Sequence, residues 1–152
     1  MSTQVRRATK DDKLTFAFLA DTFLRESKYS LKMNPDKLLT NFDNVVSQDP
    51  EESSVSIFLL EVDGRVEGML VGATSESLFS DDTLAVEIAW YVSPDHRDGR
   101  KAYKLMNEYE KWAKEKGCTF VTMMDIHGLA SLEELYNRKG YSLTEKTYVK
   151  EI

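Results

Sequence analysis

The segment 84–126 constrains the fold more than any other part of the chain. Leu84 to Val92 alternates, with Leu84, Val86, Ile88, Trp90 and Val92 on one face and Ala85, Glu87, Ala89 and Tyr91 on the other, the period of a strand. The Pro-containing turn VSPDHRDG leads into residues 98–116. There Ala102, Leu105, Met106, Tyr109, Trp112 and Ala113 stack on one helical face, with Gly117 just past the end. Thr119 to Ile126 is rich in β-branched residues and reads as another strand. Strand, helix and strand in this order make a crossover between parallel strands, expected to be right-handed.

The flanking sequence supplies the rest of an α/β fold. Val5 to Thr9 reads as a short strand, and Asp11 and Asp12 mark a helix start. Phe16, Leu19, Ala20, Phe23 and Leu24 then line one helical face. Asn34 and Pro35 open a second helix carrying Leu38, Leu39, Phe42, Val45 and Val46. SVSIFLLEVDGRVEGMLVGATSE is a hairpin turning at Asp63-Gly64. Ser131 to Lys139 predicts a short helix stopped by Gly140, and Tyr141 to Lys150 a last strand or hairpin arm. The expected order is β-α-α-β-β-β-α-β-α-β, a mixed β-sheet flanked by helices.

At 152 residues the chain fits one domain, 1–152, able to bury roughly two-thirds of the surface its unfolded form exposes. A net charge of −6 argues against general affinity for nucleic acid or anionic membranes and suits a cationic or amine-bearing partner. Cys118 stands alone, and His96 and His127 lack metal-ligand spacing, so neither a disulfide framework nor a metal site is expected. No apolar run approaches a membrane span, and a cytoplasmic protein is expected.

Two features ask for chemistry. The turn before helix 98–116 gathers Arg97, Arg100, Lys101 and Lys104 in an acidic chain. A strand, a Gly-containing turn and a helix N-terminus make a phosphate cradle, although the same cations also suit a solvated helix start. Glu87 lies mid-strand among apolar neighbours, where a carboxylate is costly unless a cation from a covering helix pairs with it or its pKa is raised.

AWYVSPDHRDGRKAYKLMNEYEKWAKEKG resembles the central motif of the GNAT family of N-acetyltransferases, in which a V-x-P turn runs into RxxGxG or RxxGxA. SLEELYNRKGYSL looks like the family's C-terminal LYxxxGF segment, with Tyr141 in place of Phe. The element order matches over nearly the full length. One departure stands out: counted from Arg97, the family's glycine falls at Arg100, whereas this chain has Gly99, and Ala102 matches the final small position.

The resemblance implies a GNAT-like fold that takes acetyl-CoA, needs no metal, and moves the acetyl group to a primary amine by direct attack. Backbone groups of Trp90, Tyr91 and Val92 would pair with the pantetheine arm like an added strand, the Val92 N–H polarising the thioester carbonyl. Arg97, Asp98, Gly99, Arg100, Lys101 and Ala102, with Tyr103, would face the pyrophosphate mostly through backbone. Tyr136 matches the general acid, against the plainer reading of a core tyrosine. Glu87 ranks first as general base, acting through a water, followed by Asp125 and then His127. The acceptor would enter between residues 28–34 and the segment after the fifth strand. Asp81 and Asp82 favour a cationic acceptor: a protein lysine or N-terminal amine, a polyamine or an aminoglycoside. Such domains often pair, which implies a homodimer. The altered glycine spacing supports a second expectation, a GNAT-fold coenzyme-binding or protein-interaction module without catalysis.

Overall fold

The computed structural model describes residues 2–27, 29–126 and 130–152. Five strands form one mixed sheet in the order β1 (Thr3–Arg7), β2 (Val55–Val62), β3 (Arg65–Glu76), β4 (Thr83–Val92) and β5 (Phe120–Thr122). Neighbours are antiparallel as far as β4, and β5 runs parallel to β4. Helices α1 (Lys13–Glu26) and α2 (Pro35–Ser47) precede β2, α3 (Gly99–Glu115) joins β4 to β5, and α4 (Ala130–Arg138) follows. No helix among the described residues is long and apolar enough to cross a membrane.

Local sequence accounts for most of these elements. The Asn34 side chain accepts the Lys37 N–H at 3.1 Å, and Pro35 fixes the first turn of α2. Asp63 and Gly64 both take positive φ, 49° and 80°, the backbone that joins two twisted strands without splaying them. α1 is tied to the sheet through Arg6, which donates to both oxygens of buried Asp12 and to Glu61.

The sheet carries an apolar layer on each face. Phe16, Leu19, Ala20 and Phe42 of α1 and α2 pack on Ile57, Leu59, Met69, Val71, Ala89 and Tyr91. Leu105, Tyr109, Trp112 and Ala113 of α3 pack on Phe58, Leu60, Leu70, Ala85 and Val92.

Four expectations need correction. β4 does not alternate unbroken: Val71 pairs with Ala89 but Gly72 with Glu87, so Ile88 is an inserted bulge residue. The bulge inverts the pattern, leaving Ala85 and Glu87 toward α3 while Ala89 and Tyr91 turn toward α1 and α2. Ile88, expected to share a face with Val86 and Trp90, is 49% exposed. β1 starts and ends two residues earlier than predicted, and β5 is three residues long rather than eight. The last strand is absent: residues 142–152 carry no regular structure and are exposed. Alternation marks a segment able to pair, but pairing also needs an edge that accepts it.

Candidate active site

The candidate site is the wedge that opens where β4 and β5 part. Their pairing ends at Val86 with Thr122, so β4 runs on from Glu87 to Val92 with no strand among the described residues on that side. Ser93 donates its N–H to Glu67 of β3 at 2.8 Å. By the alternation of an antiparallel ladder, Tyr91 also directs its peptide groups to β3, and Trp90 and Val92 direct theirs into the wedge. The three residues expected to line the coenzyme arm therefore divide. Trp90 and Val92 face the opening, while Tyr91 serves the sheet and buries its ring against α1 and α2. The Val92 carbonyl is already taken by Arg97 Nε at 2.7 Å, leaving its N–H.

At the apex, Glu87 is 5% exposed. No cation among the described residues pairs with it, and its carboxylate accepts the N–H of Met124. Burial outweighs that hydrogen bond and pushes its pKa up to about 7. The Tyr136 hydroxyl donates to the Met124 carbonyl at 2.6 Å. Its ring stacks on Trp90 with centroids 6.1 Å apart and lies 5.8 Å from that of Tyr141. Burial, reinforced by the negative charges of Glu87 and Asp125, raises the Tyr136 hydroxyl well above an ordinary phenol and keeps it protonated. Asp125 is exposed at the rim of the wedge, and His127 lies outside the described residues.

A brace below Tyr136 was not foreseen. The Tyr141 hydroxyl donates to Glu110 of α3 at 2.8 Å, and Lys139 Nζ donates to the same carboxylate at 3.0 Å. The signal was present in Tyr141 itself, where a phenol replacing the family's phenylalanine asks for an acceptor.

At the wide end, Pro94–His96 forms a short helical turn and α3 begins at Gly99. The Arg97 side chain is exposed but tethered. It spans the Val92 carbonyl and Glu26 of α1, at 2.8 and 3.1 Å, and lies 5.4 Å from the Tyr91 ring. Asp98 caps α3, accepting from the Lys101 N–H at 3.0 Å and from Lys101 Nζ at 2.6 Å. These bonds, together with the Arg100 N–H, hold its carboxyl below the usual range. Gly99 and Arg100 are exposed, Ala102 and Tyr103 half-buried. Asp81 and Asp82 sit at the other end of β4, where Ser80 Oγ donates to Asp82.

The fit to a coenzyme can be judged from these groups. The outward peptide groups of Trp90 and Val92 are strand-like partners for an extended arm. The Trp90 indole N–H is buried without an acceptor, and a side chain at Gly99 would meet nothing within 4 Å. An anion arriving at α3 finds free space beside Gly99, with Arg100 and Lys101 in the same first turn, and it competes with Asp98 for the amides. The donor set fits. Among the described residues, no group of three or more His, Cys, Asp or Glu is placed to hold a metal ion.

Comparison with solved structures matches this arrangement. The aminoglycoside N-acetyltransferase AAC(6')-Iy, in complex with the bisubstrate analogue CoA-S-monomethyl-acetylneamine, superposes with a TM-score of 0.80 at 14% identity, covering 100% of this chain and 99% of that one. The ribosomal-protein-alanine N-acetyltransferase of Brucella melitensis biovar Abortus 2308 gives 0.76 at 16% identity over 100% and 99%. The glucosamine-6-phosphate N-acetyltransferase of Arabidopsis thaliana gives 0.78 at 14% over 99% of each. No curated protein sequence matches the chain. The family model for GNAT acetyltransferases matches residues 17–141, from α1 through the wedge to the Tyr141 brace, and the chain belongs to that family.

Proposed function

We propose that this protein transfers the acetyl group of acetyl-CoA to the primary amine of a cationic acceptor, a small molecule or a protein. The observation that carries the reading is the meeting of Glu87 and Tyr136 on the backbone groups of one residue, Met124, at the apex of the wedge. Acetyl-CoA supplies the thioester that the amine attacks and the thiolate that leaves. Trp90 and Val92 hold the arm by backbone hydrogen bonds, and the Val92 N–H polarises the carbonyl. Arg100, Lys101 and the amides opening α3 attract the pyrophosphate. Glu87, largely ionised above its raised pKa, accepts a proton from the incoming ammonium through a water. Tyr136, protonated and turned into the wedge, returns a proton to the departing sulfur.

The acceptor reaches the apex from the side of residues 29–34, and the chain's net charge of −6 favours a cation there. The structural neighbours named above include an aminoglycoside N-acetyltransferase and a ribosomal-protein-alanine N-acetyltransferase, which supports an acceptor that is an aminoglycoside, a polyamine or a protein amine. The test is thiol release from acetyl-CoA over a panel of aminoglycosides, polyamines and peptides with free N-termini or lysines. Acceptor-dependent release that disappears in Glu87→Gln supports the reading. Coenzyme binding without release against the whole panel supports a binding module instead, the reading that Asp98 on the α3 amides favours.

A further inference from the structure

Helix α3 carries a mixed stripe beside its apolar face. Glu108, Lys111, Trp112 and Glu115 fall at i, i+3, i+4 and i+7 and so share one side of the helix. Val5 and Arg7 of β1 lie on the α3 side of the sheet by the period of a strand, and Val5 packs against the α3 layer. Arg7 pairs with Phe58 of β2 and sets its guanidinium over that ring, 5.0 Å from the centroid. Arg7, Phe58 and the stripe line a cavity of about 150 Å³, well above the roughly 10–15 Å³ that one water needs.

The groups around this cavity are unsatisfied in a matched way. Trp112 is 2% exposed, and its indole N–H has no acceptor among the described residues. A side chain at Gly72 of β3 would stand 3.2 Å from Cζ3 of this indole. Nε1 lies diametrically opposite Cζ3, so it points away from β3, to the side where β2, β1 and the cavity lie. A buried N–H without a partner is costly, and an acceptor in the cavity removes that cost. The Arg7 guanidinium brings further donors, and none of them bonds a described residue. Desolvation lowers its pKa against the pull of Glu115 and Glu108, neither of which comes within ion-pair distance. Lys111 likewise has no ion-pair partner among the described residues.

Two cations and an indole N–H thus share one small space with two carboxylates. A plain anion there would meet Glu108 and Glu115, and a plain cation would meet Arg7 and Lys111. The complement is a molecule that carries both signs close together. We infer that this cavity is a binding site for a small α-amino acid, its carboxylate held by Arg7 and the Trp112 N–H and its ammonium by Glu108 and Glu115. Phe58 supports one face of the guanidinium and leaves its edge free for a bidentate carboxylate. No residue of this cavity contributes to the wedge.

The test is proton–nitrogen correlation NMR of the full chain, which has two tryptophans, Trp90 and Trp112. Trp90→Phe assigns the two indole signals by leaving that of Trp112 alone. Titration with glycine, L-alanine and L-serine should move the Trp112 signal saturably and leave that of Trp90 in place. Acetate and methylamine, which each carry half of the zwitterion, should bind about tenfold or more weakly. Arg7→Gln and Glu108→Gln should each weaken amino-acid binding by about the same factor with circular dichroism unchanged. Glu108→Gln should bind acetate no more weakly than wild type, because it loses only the ammonium's partner. The absence of a saturable shift with all three amino acids up to about 100 mM overturns the proposal. Equal affinity for acetate, or full amino-acid affinity in Arg7→Gln, does so too. Should Arg7→Gln lose its fold, Glu108→Gln decides alone, and unchanged amino-acid affinity there overturns the site. No readout depends on acetyl transfer, so the two proposals stand or fall separately.

Discussion

Glu87 and Tyr136 meet on the backbone of one residue: the Glu87 carboxylate accepts the Met124 N–H, and the Tyr136 hydroxyl donates to the Met124 carbonyl at 2.6 Å. Any shift of the chain after β5 therefore moves the candidate base and the candidate acid together. The price of this arrangement falls on Glu87, buried without a cation.

Its ionisation makes stability depend on pH. Burial lifts Glu87 from 4.5 to about 7, so the folded protein holds this proton more tightly than the unfolded chain. The stabilisation is full at low pH and is lost as pH rises through the interval between those two values, a change of about 3 kcal/mol. Glu87→Gln keeps an acceptor for Met124 and removes the charge. It should be more stable than wild type near pH 8, by about 1–3 kcal/mol, and equal to it only below about pH 4. Urea melts across this range check it, and parallel stability curves for the two proteins would contradict the burial argument.

The same group should set the acid limb of the rate. With Glu87 as base, kcat/KM rises with pH up to about 7 and then levels, and Glu87→Gln both flattens the profile and lowers the rate about 10²–10⁴-fold. Tyr136→Phe should lower kcat by a similar factor while leaving coenzyme affinity intact, since only a hydroxyl at the apex is lost. Because the Tyr136 hydroxyl titrates well above the ordinary phenol range, wild type should show no alkaline limb from this group at ordinary alkaline pH. Unchanged turnover in Tyr136→Phe removes it from the mechanism.

Gly72 tests the packing that holds the wedge open. It faces Glu87 across the β3–β4 ladder at the bulge, and a methyl group there would stand 2.7 and 2.9 Å from ring carbons of Tyr109. Tyr109 is fully buried and donates its hydroxyl to the Thr122 carbonyl at 2.9 Å, tying α3 to the end of β5. Gly72→Ala should cost about 1–3 kcal/mol by overpacking, seen as a lower urea midpoint at constant m. A neutral substitution would mean that the ring moves freely and does not fix β5.

What the sequence made legible was local. Asp63-Gly64 announces its hairpin, Asn34-Pro35 its helix start, and the apolar face of α3 its packing, because each depends on neighbours a few residues away. Glu87 stood out as a buried acid, but the absence of a cation and the peptide of Met124 are facts of tertiary structure. The bulge at Ile88 left no trace, since an isoleucine in an apolar-alternating run is what a regular strand would carry there. Arg97 looked like a phosphate ligand both from the basic turn it belongs to and from the resemblance. Its partner Glu26 lies 71 residues away on another element, beyond any spacing rule. The C-terminal strand failed for the same reason in reverse: its pattern is visible, whereas no strand among the described residues pairs with it.

Asp98 links the helix cap to coenzyme affinity. Its carboxylate occupies the Lys101 and Arg100 amides that an arriving pyrophosphate would use, and it draws Lys101 Nζ to within 2.6 Å. Asparagine caps a helix about as well as aspartate but carries no charge, so Asp98→Asn should leave thermal stability unchanged and strengthen CoA binding about fivefold at low salt. Alanine removes the cap as well and should cost about 1 kcal/mol of stability while also relieving the charge, which separates the two roles. The gain in either variant should shrink as salt screens the surface field. Calorimetric titration with CoA over a range of ionic strength measures all three. If Asp98→Asn binds CoA no more tightly than wild type, the carboxylate does not compete for the cradle, and Arg100 in the glycine position becomes the feature that limits affinity.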